Sequence, residues 1–114
     1  MKGKVFERGD IVRMGFDPAK GMEQQVTRPA LVVTPYEINR LGLLGVCPIT
    51  QGGMHSRNIG MAVSLTGAGL DTAGVVLVQQ FRMIDPKARA CAFIESAPEE
   101  LTEEVRARVA ALVD

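Results

Sequence analysis

The chain has no tryptophan, one tyrosine, four phenylalanines, one histidine and two cysteines in 114 residues. So few aromatic rings leave little of the stacking platform on which unpaired bases are commonly held. Any reading of bases must then lean on amides and on the single histidine, His55. With one histidine, His55, and cysteines only at 47 and 91, there is no Cys-x-x-Cys or His-x-x-x-His pair. A structural zinc site wants four such ligands, so no metal and no cofactor is expected. No apolar run approaches the ~20 residues of a membrane-spanning helix, and no membrane association is expected. The opening MKGKVFERGD lacks the apolar segment of a secretory signal, which points to the cytoplasm. Both thiols lie in apolar, strand-like surroundings and are expected to be reduced and buried. Net charge is also missing: 13 Lys and Arg balance 13 Asp and Glu, which excludes a globally basic, histone-like nucleic-acid binder.

What is present fits one domain, residues 1–114, with 46% apolar and 23% charged residues, ordinary values for a globular protein. Residues 1–57 carry eight basic and five acidic side chains, a balance of +3, and residues 58–114 carry −3. The basic half is the better place for a phosphate-bearing partner.

Residues 1–9 read as a loose arm. Strands are expected at 10–16, 29–34, 43–50, 59–65 and 88–94, and one long strand over 74–84 bends at Gln79-Gln80. Asp17-Pro18 is a turn signal, and PYEINRL over 35–41 begins with a proline suited to a helix start. Ser96 and Glu99 are spaced as a capping box. The helix they open carries Leu101, Val105, Val109 and Leu112 on one face, with Glu104 and Arg108 at i, i+4. Short strands closed by one amphipathic helix predict a mainly β fold, a small curled sheet or barrel.

Several polar features have plain explanations. Gly67, Gly69 and Gly74 lack the spacing of a nucleotide loop and read as a turn. His55, in the polar loop QGGMHSRN, has no partner spacing that marks a triad. Arg28 precedes Pro29, which favours an extended backbone and so aims the guanidinium in one direction. A guanidinium so held suits bidentate contact with a phosphate, although a surface ion pair is the plainer reading. Thr50 closes a strand beside Gly52-Gly53, where its hydroxyl serves either the backbone or a phosphate oxygen.

Four separated motifs occur in order: ERGDIV (7–12), GFDPAKGMEQQVTRPALVV (15–33), PITQGG (48–53) and GVVLVQQFRMIDPKAR (74–89). Together they resemble the MazF/PemK toxins, most closely the branch that includes ChpB. The resemblance implies an SH3-like β-barrel with short helices and a C-terminal amphipathic helix, assembled as a homodimer. It implies a metal-independent endoribonuclease that cuts single-stranded RNA at short motifs by attack of a ribose 2′-OH, leaving 2′,3′-cyclic phosphate and 5′-OH ends. It also implies a cognate antitoxin whose acidic C-terminal tail lies in the RNA groove, with DNA reached only through that antitoxin.

By the same resemblance, Arg28 matches the arginine of the family's Arg-Pro motif and Thr50 the threonine of its Pro-x-Thr motif. Glu23 matches the glutamate after the family's Gly-x, a group able to orient Arg28 or to accept a proton. The Kid branch places a histidine, an arginine and an aspartate where this chain has Met22, Leu77 and Gln79, so that branch's acid and base do not carry over. Glycine is usual where Val26 stands. Gln24, Gln25, Gln51, His55, Ser56, Arg57, Gln79 and Arg82 are the candidates for reading RNA, chosen for donor and acceptor chemistry. Two other readings share these residues: a same-fold toxin that poisons a protein target, as the CcdB type does, and a non-catalytic RNA-binding module.

Overall fold

Three strands at the centre are buried on both faces, and their alternation sorts the apolar residues into two cores. The computed structural model describes residues 4–15, 27–51 and 61–114. β1 (Asp10–Gly15) pairs antiparallel with β2 (Thr27–Val32), which pairs antiparallel with β3 (Leu44–Thr50). Successive side chains in a strand point to opposite faces. Odd-numbered Ile11, Leu31, Val33, Cys47 and Ile49 therefore build one core, and even-numbered Val12, Met14, Ala30, Val32, Leu44 and Val46 the other.

A four-residue helix, α1 (Tyr36–Asn39), connects β2 to β3. Its buried Asn39 donates to the carbonyls of Phe6 and Thr34, both at 2.9 Å, and accepts from the Thr34 hydroxyl at 2.5 Å. The N-terminal segment is thereby tied down rather than loose: Phe6 is buried in the second core, and the Gly9 amide donates to the Val32 carbonyl.

The second edge of β3 is shared. β4 (Ala62–Ser64) pairs with β5 (Val75–Leu77), and β5 with the end of β3; β6 (Arg82–Ile84) pairs with its start. Between β5 and β6 lies a 3-10 turn, Val78–Gln80. The expected single strand is thus two, and the register shows why. Ile49 pairs with Val76, whereas Val46, three residues earlier, pairs with Arg82, six residues later. The turn takes up three surplus residues. Pro48, which brings no N–H to either edge, lies in the resulting gap.

β7 (Ala92–Ser96) adds to the outer edge of β1, and α2 (Glu99–Ala111) follows. The last strand begins later than expected because residues 86–90 form a turn, with Ala90 at φ 51°. Ser96 is not the helix cap. It is the last residue of β7, opposite Asp10, and the Ala97 amide continues the pairing to the Gly9 carbonyl at 2.8 Å. Held that way, the chain turns only at Pro98, which is the N-cap and makes no side-chain capping bond. Glu99 and Glu100 in the first turn complement the positive end of the helix dipole. The Glu104–Arg108 pair forms as expected, at 2.7 Å. Val105 is fully buried in the first core with Leu101 and Val109 against it, but Leu112 is 41% exposed.

The fold is mainly β, with seven strands among the described residues in the order β4-β5-β3-β2-β1-β7 and β6 on β3. Among the described residues the curled sheet does not close into a barrel by backbone pairing. The seam between β7 and the segment after β4 is fastened instead by Glu95. Its carboxylate accepts from the Thr72 hydroxyl (2.6 Å) and amide (2.8 Å) and from the Asp71 amide (3.2 Å). The Thr72 hydroxyl, then these amides, hold the Glu95 carboxyl below its ordinary value of 4.5.

Leu31→Ala should cost about 2–5 kcal/mol, as large-to-small changes in a close-packed core do, while Leu112→Ala should stay within about 0.5 kcal/mol; urea unfolding separates them. The depressed carboxyl makes the Glu95 fastening complete above the ordinary carboxylate range, and it is lost as pH falls through the folded value. Glu95→Gln should therefore unfold at lower urea than wild type at pH 7, and the gap should narrow towards pH 3.

Candidate functional site

Two of the residues singled out in the sequence, Arg28 and Thr50, lie at the start of β2 and the end of β3. The β2–β3 ladder pairs Ala30 with Pro48, Leu31 with Cys47 and Val32 with Val46. The ladder ends at Ala30 and Pro48; the same register carried two residues outward would align Arg28 with Thr50. Directly opposed residues of neighbouring strands have Cβ atoms roughly 4.5–5.5 Å apart, so the guanidinium and the hydroxyl can reach one phosphate. Both residues share the parity of Ala30 and Val46 and therefore lie on the face of the second core. On β1, Arg28 pairs with Met14, and its side chain is exposed. Thr50 is half-buried, with its hydroxyl 3.4 Å from the Gln51 carbonyl, a long and weak bond that a better acceptor can displace.

Thr50 is also held from its other side, by pairing with Val75. The residue before, Gly74, has φ +125°, and a Cβ there would collide with the Thr50 carbonyl. Only glycine lets β5 start this close to the end of β3. In the sequence Gly74 reads as part of a turn, and this role is missed. Its one signal is a glycine leading directly into a β-branched run.

The other candidates divide. Gln51 is exposed beside Thr50, Gln79 is exposed in the 3-10 turn, and Arg82 is exposed at the start of β6 opposite Val46. Leu77 is buried in β5, so the position at which the Kid branch has an arginine is part of the interior here. Glu23, Gln24, Gln25, His55, Ser56 and Arg57, with Met22 and Val26, lie outside the described residues.

The thiols do not converge. Cys47 is fully buried in the first core, and burial pushes its thiol up to about 12. Cys91 is only half-buried, contrary to expectation, because it follows the 86–90 turn at the rim of the second core. Burial pushes it to about 11, with Arg89 opposing and Asp85 adding to the shift.

Gly74→Ala should cost about 1–3 kcal/mol, the range for forcing extra atoms into a packed site. In an amide NMR spectrum the largest changes on β3 should fall at Ile49–Gln51 rather than at Leu44–Val46.

Residues 7–113 match the model of the PemK-like, MazF-like toxins of type II toxin–antitoxin systems. The chain is 49% identical to the endoribonuclease toxin ChpB of Escherichia coli (strain K12), over 100% of this chain and 99% of that one. It is 46% identical to the Escherichia coli endoribonuclease PemK, over 95% of this chain and 82% of that one. A chain of the MazE–MazF complex of Deinococcus radiodurans, 33% identical, superposes with a TM-score of 0.82 over 97% of both chains. With that match across nearly its full length, this chain belongs to the PemK-like, MazF-like toxins of type II toxin–antitoxin systems.

Proposed function

We propose that this protein is a toxin endoribonuclease that cleaves single-stranded RNA and is neutralised by a cognate antitoxin. The reading is supported by the β2–β3 register, which carried two residues past Ala30 and Pro48 aligns Arg28 with Thr50, in a chain whose full-length relatives are endoribonucleases. A MazE–MazF complex among the structural relatives supports the antitoxin. We extend the reading to a homodimer acting in the cytoplasm, with the antitoxin's acidic C-terminal tail occupying the RNA groove.

The chemistry asks for three things. A ribose 2′-OH must lose its proton, the attacked phosphorus must carry extra negative charge, and the leaving 5′-oxygen must gain a proton. Arg28 suits the second task, since guanidinium keeps its charge and offers paired donors to the phosphorane oxygens. The Thr50 hydroxyl supplies a further donor once turned from the Gln51 carbonyl. Guanidinium is for the same reason a poor base, and Glu23 is our candidate for orienting Arg28 or accepting the 2′-OH proton. The products are a 2′,3′-cyclic phosphate and a 5′-OH, and no metal enters the scheme. Gln51, Gln79 and Arg82, with Gln24, Gln25, His55, Ser56 and Arg57, are proposed to read the bases by hydrogen bonding.

Purified protein incubated with mixed-sequence single-stranded RNA in EDTA should yield fragments with cyclic phosphate and 5′-OH ends. Intact RNA, or cleavage that requires magnesium, sinks the assignment and leaves the protein-poison or RNA-binding readings. Arg28→Ala should lower turnover by about 10²–10³-fold, the loss expected for one well-placed donor to a developing oxyanion. Its circular dichroism spectrum should match that of wild type.

A further inference from the structure

A cavity of about 530 Å³ opens between the N-terminal segment, the turn after α1, the start of β3 and the 86–91 turn. Its walls carry three cations, Lys4, Arg40 and Lys87, and among the described residues that line it there is no carboxylate. Phe6, Leu44 and Cys91 form an apolar floor, and Cys91 stays a neutral thiol near pH 7. In a chain of zero net charge, this is a marked local imbalance.

Two of the cations hang from fixed backbone, while the third, Lys4, is held through its side chain, with Nζ 4.3 Å from the centre of the Phe93 ring at the cavity's side. The Arg40 amide donates to the Tyr36 carbonyl at 2.9 Å, closing α1, and the Lys87 amide donates to the Asp85 carboxylate at 2.9 Å. That carboxylate is engaged with the turn's own backbone, taking the Ala88 amide as well at 3.4 Å.

The cavity shares a sheet face with the candidate cleavage site. Phe6 and Leu44 belong to the second core, the face on which Arg28 and Thr50 also lie. From Thr50 to Leu44 is six residues of β3, about 20 Å at ~3.3 Å per residue. Arg82 stands between them, opposite Val46, and shares its face with Ile84 of the same core. Cations thus recur along one face, at Arg28, Arg82 and then the pocket, as suits a polymer with one negative charge per unit.

We propose that this cavity is a remote subsite for single-stranded RNA: Lys4, Arg40 and Lys87 hold a backbone phosphate, and the attached nucleoside rests on the apolar floor. The proposal rests on the RNA-cleaving function above. It places substrate contacts well beyond the scissile bond. It favours RNA over an acidic peptide because the cations are spread along the face as well as gathered in the pocket. Apolar floor and cationic rim together fit a unit that is part flat ring and part phosphate.

The test uses the double variant Arg40→Gln/Lys87→Gln and a mixed-sequence 2′-O-methyl RNA, which has no 2′-OH to attack. Binding is followed by fluorescence anisotropy across a salt series, with circular dichroism to verify the fold. The variant should bind more weakly, and its plot of log K against log salt should be shallower by about 0.7 for each phosphate no longer neutralised. On an unmodified long RNA, kcat/KM should fall through KM rather than kcat. Wild-type affinity and salt slope in the variant would overturn the subsite while leaving the nuclease assignment intact. Weaker binding only to the antitoxin's acidic tail, with RNA unaffected, would overturn it too, in favour of a protein partner. If wild-type protein cuts no RNA, the nuclease assignment fails by itself. The salt slope on the methylated RNA then decides the pocket alone: a shallower slope in the variant supports it, an unchanged slope overturns it.

Discussion

The backbone pairing of β3 is the constraint from which the rest of the structure follows. One edge is given to β2, and the other is divided between β5 and β6. A strand paired on both edges and buried on both faces must be apolar at almost every position, and Leu44–Ile49 are all buried. Its two faces then separate the two cores, with α2 covering the odd-numbered one through Val105. Where β3 runs out of burial, at Thr50, a hydroxyl becomes available. Because β2 runs antiparallel, its first residues, not its last, meet that end. The register of apolar pairing, continued past Ala30 and Pro48, points Arg28 towards Thr50.

Much of this was legible in the chain. The β-branched runs at 10–16, 29–34 and 43–50 mark the central strands to within two residues or so, and the i, i+4 spacing of Glu104 and Arg108 marks a real pair. What misled was local chemistry overruled by pairing elsewhere. Ser96 has the side chain and spacing of a cap, but a backbone bond from Ala97 to Gly9 keeps the chain extended until Pro98. Residues 74–84 read as one strand because periodicity does not register a three-residue surplus taken up in a turn. Cys91 looked interior from its apolar neighbours, yet the turn before it leaves the residue at a rim.

The site was legible in a different way. Arg28 and Thr50 stood out through motifs, each ambiguous alone, and their relation emerges only from the β2–β3 register. Gly74 was read for its freedom to turn, whereas its importance lies in the atoms it lacks beside the Thr50 carbonyl. The cluster of Lys4, Arg40 and Lys87 was invisible, since those residues come from three distant segments and meet only when Asn39 ties the N-terminal segment to α1. Charge summed over halves of the sequence gave the sign of the basic half but not the place.

The seam at Glu95 gives the molecule a line of weakness. Along the described ladders, neighbouring strands are joined by backbone pairing. Between β7 and the segment after β4, the described contacts converge on one carboxylate. Sub-global opening follows the path with the fewest bonds to break. The curled sheet therefore has a clasp at this seam. Acid protonates that carboxylate and loosens the clasp, whereas the paired residues of the β2–β3 ladder include no carboxylate, so the two respond differently to pH.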